Sequence, residues 1–124
     1  MDGTALRPLH LGISVESIEA SVRWYGEMLG FTLLSDAEMP ALESRVAFLG
    51  NGSFQLELFQ HRRTLPLPPG RRTPNDDIRT QGTKHICFAH EDVPGLLAEL
   101  RRKGADVVME QVVKGKPMGF VRDN

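Results

Sequence analysis

The first clear pattern in the chain is an alternation. Leu9, Leu11, Ile13 and Val15 interleave with His10, Gly12 and Ser14, the period-two signature of a strand with one buried face. Ser17 can cap a following helix, in which Ile18, Val22, Tyr25 and Leu29 recur on one side. Gly30 suits the left-handed position just past a helix end. A short strand is predicted at Phe31–Leu34, with a looser stretch through Pro40. A hairpin follows: Arg45–Leu49, a tight turn at Gly50-Asn51-Gly52, and Phe54–Phe59. In that last strand Phe54, Leu56 and Leu58 face one way and Gln55, Glu57 and Phe59 the other.

The pattern then lapses and starts again. His61–Gly82 holds four prolines and five arginines with almost no periodicity, which predicts a long connecting loop, either a tether or a functional cover. After it, His10-Leu-Gly-Ile-Ser-Val15 returns as His85-Ile-Cys-Phe-Ala-His90. Seven residues after each histidine stands a helix-start residue, Ser17 and then Asp92. Val93, Leu96, Leu97 and Leu100 line the second helix, with Pro94 tolerated in its first turn. Gly104 ends it, and strands are predicted at Asp106–Met109 and Met118–Arg122. Aligning Phe48-Leu49 with Phe120-Val121 sets the first hairpin turn against Asp123-Asn124, so the counterpart of the Glu57 strand would lie beyond Asn124. A shortened chain, a tail left out of this sequence, or a strand from a partner chain would each explain that; the first two are favoured, because an unpaired edge is a liability.

The expected fold is therefore α+β: two paired βαβββ modules forming a cupped mixed-sheet groove, the second lacking its last strand. Module one spans about 8–60, the linker 61–82 and module two 83–124, within one domain after a loose lead-in at Met1–Arg7. At 124 residues the length suits a single core. A net charge of −1 with both signs interspersed gives no basic field for nucleic acid. No apolar run reaches membrane-spanning length, and the N-terminus does not read as a signal peptide. Cys87 is the one cysteine, which suits a reducing cytoplasm.

The polar faces carry the candidate chemistry. If each strand turns its apolar face to a helix, His10, Glu57 and His85 are left on the other side, where paired modules would bring them to one groove. Two imidazoles and a carboxylate are ligand types for a divalent metal. Ser14 and Cys87 share those faces and are candidate pocket wall. Cys87 has no base placed to activate it as a nucleophile. His61 and His90 are read as structural or solvated.

At these residues the chain resembles the vicinal oxygen chelate superfamily of glyoxalases, epimerases, bleomycin-resistance proteins and extradiol dioxygenases. Ser17-Ile-Glu-Ala-Ser-Val-Arg-Trp-Tyr25, Leu29-Gly30-Phe31, Gly82-Thr-Lys-His85 and Glu91-Asp-Val93 carry the similarity, with a ligand pattern like glyoxalase I and methylmalonyl-CoA epimerase. The resemblance implies His10, Glu57 and His85 as ligands of one divalent ion per site, with zinc, nickel, cobalt, manganese and iron not distinguished. It implies a fourth ligand beyond Asn124, and Glu57 or that missing glutamate as the catalytic base. The implied activity is a metal-dependent isomerase, lyase or epimerase that moves a proton next to a carbonyl through a metal-bound enediolate. An extradiol-type dioxygenase and a non-catalytic small-molecule binding or resistance protein are the alternatives. The implied partners are a second copy of the chain, as a homodimer, and a carbonyl or thioester substrate. Were that substrate anionic, loop arginines such as Arg71 and Arg72 could meet it.

Overall fold

In the computed structural model, which describes residues 3–124, the first module follows the predicted order. Strand β1 (His10–Ser14) leads into helix α1 (Ile18–Leu29), then β2 (Thr32–Met39), β3 (Ser44–Asn51) and β4 (Phe54–His61). These strands form one sheet in the order β1-β4-β3-β2. β1 runs parallel to β4, setting His10 opposite Gln55 and Gly12 opposite Glu57, and the other pairs are antiparallel. Of the expected lead-in, Met1 and Asp2 lie outside the described residues, and no helix or strand precedes His10 in the remainder.

Helix α1 is fixed at both ends by its neighbours in the sheet. Ser17 Oγ accepts from the Ala20 N–H at 3.2 Å, and Gln60 Oε1 accepts from the Ile18 N–H at 2.8 Å. The end of β4 thus holds the start of the helix that covers it. At the other end Gly30 is left-handed, with φ 73°, and the Asn51 side-chain amide donates to the Leu29 carbonyl at 2.9 Å. Satisfying these orphan groups fixes how the helix lies on the sheet. Ile18 and Tyr25 then bury against Phe31, Ala47, Leu49, Leu56 and Leu58, while Leu11, Ile13 and Val15 pack at the margin. Each fully buried leucine here contributes roughly 1.5–3 kcal/mol by leaving water.

Strand β2 runs well past the predicted Phe31–Leu34. It is an edge strand exposed along its whole length, so no apolar alternation marks it in sequence. Its register with β3 and the ion pair of Arg45 with Asp36 (2.6 Å) hold it instead.

The linker is more ordered than its composition predicts. It contains a 3-10 turn at Pro69–Arg71 and a one-turn helix α2 (Pro74–Asp77). The Asp77 carboxylate is buried, yet Arg71 Nε donates to it at 2.9 Å and Lys84 Nζ at 3.1 Å. Arg71 also donates to the Thr83 carbonyl at 2.6 Å, and Arg122 donates to the Arg72 carbonyl at 3.1 Å. The segment is stapled to the second module.

That module holds helix α3 (Val93–Arg102) over a two-stranded antiparallel sheet of β5 (Asp106–Val113) and β6 (Lys116–Arg122). Asp92 caps α3 as predicted, its Oδ1 accepting from the Gly95 N–H at 3.1 Å. Leu97 and Leu100 are the residues of α3 that bury. The predicted strand at His85–His90 is not one: it joins no ladder among the described residues. The reason lies in the topology of the first module, where β1 is laddered by β4. The second module has no described strand in that place. Face alternation survives nonetheless, since Ile86 packs against the first module's core and Phe88 lies 5.9 Å from Phe31 and 6.5 Å from Phe54, ring centre to ring centre. Among the described residues no helix is long and apolar enough to cross a membrane.

Candidate functional site

On the face of the first sheet turned away from α1, β1 and β4 bring His10 and Glu57 together. His10 Nε2 stands 3.4 Å from Glu57 Oε1. That is long for a hydrogen bond, which prefers roughly 2.7–3.2 Å. It matches the edge of about 3.3 Å between two donors of a tetrahedral ion with bonds of roughly 2.0–2.1 Å. The donor pair therefore fits a divalent metal both in kind and in separation.

The strands explain why this pair is open to a ligand. Leu56 and Leu58 point into the core and are wholly buried, so Glu57 between them must face out. Opposite Glu57 in the parallel register stands Gly12. A Cβ there would come 3.3 Å from the Phe59 ring and 4.0 Å from Glu57 Oε1, so glycine at 12 leaves clear space beside the carboxylate. The His10 ring meets the Phe48 ring nearly at right angles, with centroids 5.5 Å apart.

The third expected donor stands elsewhere. His85 is exposed and lies against Phe120, ring centroids 5.1 Å apart. No group of three His, Cys, Asp or Glu side chains able to hold an ion exists among the described residues. A single chain thus assembles two of the three expected ligands. The physical cause is the way the modules meet: Ile86 and Phe88 turn toward the first core, which leaves His85, one residue out of phase, on the other side.

The remaining predicted residues are scattered. Ser14 is exposed at the end of β1. Cys87 is a free, exposed thiol and lines an open hollow of about 700 Å³ between the modules, with Phe31, Phe54, Phe88 and His90 among its walls. His10, Glu57 and His85 do not line that hollow. Arg71 is engaged by Asp77 and the Thr83 carbonyl, which leaves its guanidinium little freedom for a ligand. Arg72 is exposed and contributes its carbonyl to Arg122. His61 and His90 behave as expected: each ring accepts a backbone N–H two residues on, from Arg63 and Asp92, both at 3.0 Å.

Sequence reasoning missed Gly12 and Phe48 as parts of the site. The parallel register that sets Gly12 against Glu57 leaves no local mark. Phe48 had a signal, its alignment with Phe120 in the repeat.

With this geometry in place, the comparisons fix the class. Residues 9–121 match the Glyoxalase/Bleomycin resistance protein/Dioxygenase superfamily, and the chain belongs to that family. It is 30% identical over 92 residues to the uncharacterized protein YaeR of Escherichia coli, covering 73% of this chain and 66% of that protein, just under two thirds. It is 29% identical over 102 residues to a probable lactoylglutathione lyase of Synechocystis sp., covering 82% of this chain and 73% of the relative. The crystal structure of a glyoxalase family protein from Enterococcus faecalis shares 25% identity and superposes with a TM-score of 0.74 over 99% of this chain and 92% of that one. The mixed sheet, the second sheet and the covering helices are those of a vicinal oxygen chelate fold.

Proposed function

We propose that this protein is a divalent-metal-dependent enzyme of the glyoxalase type, a lyase, isomerase or epimerase that shifts a proton between carbons beside a carbonyl. The observation that carries this reading is the His10–Glu57 pair, separated by 3.4 Å on the open face of the sheet with Gly12 clearing the space beside it. The similarity to a probable lactoylglutathione lyase supports the reaction class.

His10 and Glu57 would hold the ion, joined by His85. The ion, when bound, supplies polarisation of the substrate carbonyl, which acidifies the adjacent C–H. Glu57 accepts that proton and returns it to the neighbouring carbon, the work of a general base that becomes a general acid. Phe59 and Phe48 flank the donors and keep bulk water from part of the face. The exposed linker arginines Arg62, Arg63, Arg72 and Arg79 are available to an anionic substrate such as a thioester or glutathione adduct, whereas Arg71 is committed to Asp77. The compartment we assign is the cytoplasm, in keeping with the unpaired Cys87.

Because one chain gathers only two of the three donors, the third comes from a second copy: the protein works as a homodimer in which His85 of one copy faces His10 and Glu57 of the other. Metal analysis should find about one divalent ion per site, lost in His10→Ala and in His85→Ala; full occupancy in both variants overturns the metal reading. Mixing the two inactive variants should restore activity at about one site in four, since half of the random dimers carry one intact cross-chain site. Activity that stays absent on mixing, in dimers shown to exchange, places all three donors within one chain. Assays with methylglyoxal plus glutathione, an acyl-CoA epimer and catechol separate glyoxalase, epimerase and dioxygenase. Turnover of catechol alone removes the proton-transfer assignment.

A further inference from the structure

The two histidines share more than their place in the repeat. Each is met by one phenylalanine from the hairpin of its own module, with nearly perpendicular ring planes: His10 by Phe48 at 5.5 Å and 80°, His85 by Phe120 at 5.1 Å and 90°. In the first module the contact reaches across a strand, because β4 lies between β1 and β3. The hairpins also share an irregularity. The β2–β3 register slips between Leu33 and Ser35, and Ser35 then pairs with Phe48. The β5–β6 register slips between Val107 and Met109, and Met109 then pairs with Phe120. A bulge bends its strand and re-aims the side chains beside it. Here the same bulge stands beside the same aromatic in both halves of the chain.

A ligating imidazole is ordinarily oriented by a hydrogen bond from its other ring nitrogen to an acceptor. Among the described residues neither His10 nor His85 has such an acceptor: the polar contact of His10 is Glu57, and His85 has its ring contact alone. The outer torsion of a histidine is broad and roughly two-fold, so a ring without a partner can turn its donor nitrogen away. A perpendicular phenyl wall removes that freedom, and such ring pairs are favourable in their own right.

We infer that Phe48 and Phe120, set by matching bulges, are positioning residues that hold the His10 and His85 imidazoles in the orientation needed to bind a divalent ion. The inference rests on the metal reading above and deepens it. The aromatic walls stand in for the usual hydrogen-bonded shell.

Cobalt(II) titration of the full chain provides the test, with visible absorption reporting ligand geometry and circular dichroism reporting the fold. Phe48→Leu and Phe120→Leu should each weaken cobalt binding by about tenfold or more, the usual loss when an orienting partner is removed. Both should shift the visible band while leaving the far-ultraviolet spectrum unchanged. Phe48→Tyr, which keeps the ring, should restore affinity and band. Wild-type affinity and spectrum in both leucine variants overturn the inference and leave the metal reading standing. Tyrosine as weak as leucine also overturns it, because the ring would then not be the active feature. If the wild-type chain binds no cobalt, the metal reading falls and the inference with it. Should Phe48→Leu fail to fold, Phe120→Leu decides, since it lies in the other sheet.

Discussion

The two modules repeat one plan and hold it with unequal means. In the first, α1 lies on four laddered strands, and Ile18, Tyr25, Leu49, Leu56 and Leu58 make a dry core. In the second, α3 lies on two strands and buries Leu97 and Leu100 alone. The first therefore carries its own stability. The second leans on its neighbours: Ile86 and Phe88 on the first core, Asp123 and Asn124 on Tyr25 and Ser21 of α1, and Lys84 on Asp77 of the linker. The difference shows that a repeat in sequence fixes a plan, while the number of laddered strands decides how much of that plan stands unaided.

The largest effect should come from breaking the stronger half. Leu58→Ala removes a wholly buried side chain under α1 and should cost about 3 kcal/mol. Because the second module leans on the first, urea melts followed by any probe should show the whole chain unfolding earlier. Leu97→Ala should cost less, about 2 kcal/mol, since that site is less enclosed and can relax. Amide exchange should then rise in α3, β5 and β6 while β3 and β4 stay protected. Equal cost at both positions, or loss of β4 protection in Leu97→Ala, would show that the modules form one cooperative unit.

How much of this was legible in the sequence follows from the same contrast. Where one face is buried and the other wet, as in β1, α1, β4 and α3, alternation and helical spacing marked the elements and the caps at Ser17 and Asp92. Alternation predicts strand β2 too short because both its faces are exposed and it is itself the edge of the sheet. It predicts a strand at His85–His90 because phase shows which face is buried, whereas a ladder needs a neighbour that phase does not report. The site was legible by half. Strand faces gave His10 and Glu57 their common side, and the structure sets them 3.4 Å apart. The position of His85 depends on how modules, or copies, meet, and no local pattern encodes that.

A smaller effect would sharpen what joins the halves. Tyr25 is buried and donates to Asp123 Oδ2 at 2.6 Å, so Tyr25→Phe should cost about 1–2 kcal/mol and loosen the end of β6. The phenol also predicts an alkaline signature. Burial, then the charge of Asp123 and the hydrogen bond to it, raise its pKa well above the ordinary value. A folded-state pKa above the unfolded one adds stability that is whole below about pH 10 and is lost as pH rises beyond it. Since the chain has one tyrosine, the ionisation-linked rise in absorbance near 295 nm, above the background of the single tryptophan Trp24, follows this group. Tyrosinate should appear only together with unfolding. An ordinary titration near pH 10 in the folded protein would refute the buried link.

The smallest effect concerns the linker, and it separates order from stability. Asp77 is held below the usual carboxylate range by hydrogen bonding from Arg71 first and from Lys84 after it, against the opposing effect of burial. A depressed carboxylate contributes above its unfolded value, near pH 4, and that contribution fades as pH falls through the lower folded value. The staple should accordingly persist through mild acid, with exchange at the Ile78 and Thr80 amides rising only well below pH 4. Asp77→Asn removes the charge at neutral pH and leaves Arg71 and Lys84 facing a neutral amide. Trypsin should then cut at Arg71, Arg72 and Arg79 several-fold faster, with the melting temperature of the first module unmoved because β1–β4 and α1 make no use of Asp77. If the cutting rate stays at the wild-type value, the segment is held by its backbone contacts to Arg122 and Thr83 rather than by the buried carboxylate. A fall in first-module melting would instead show that the linker contributes to the stability of the first module.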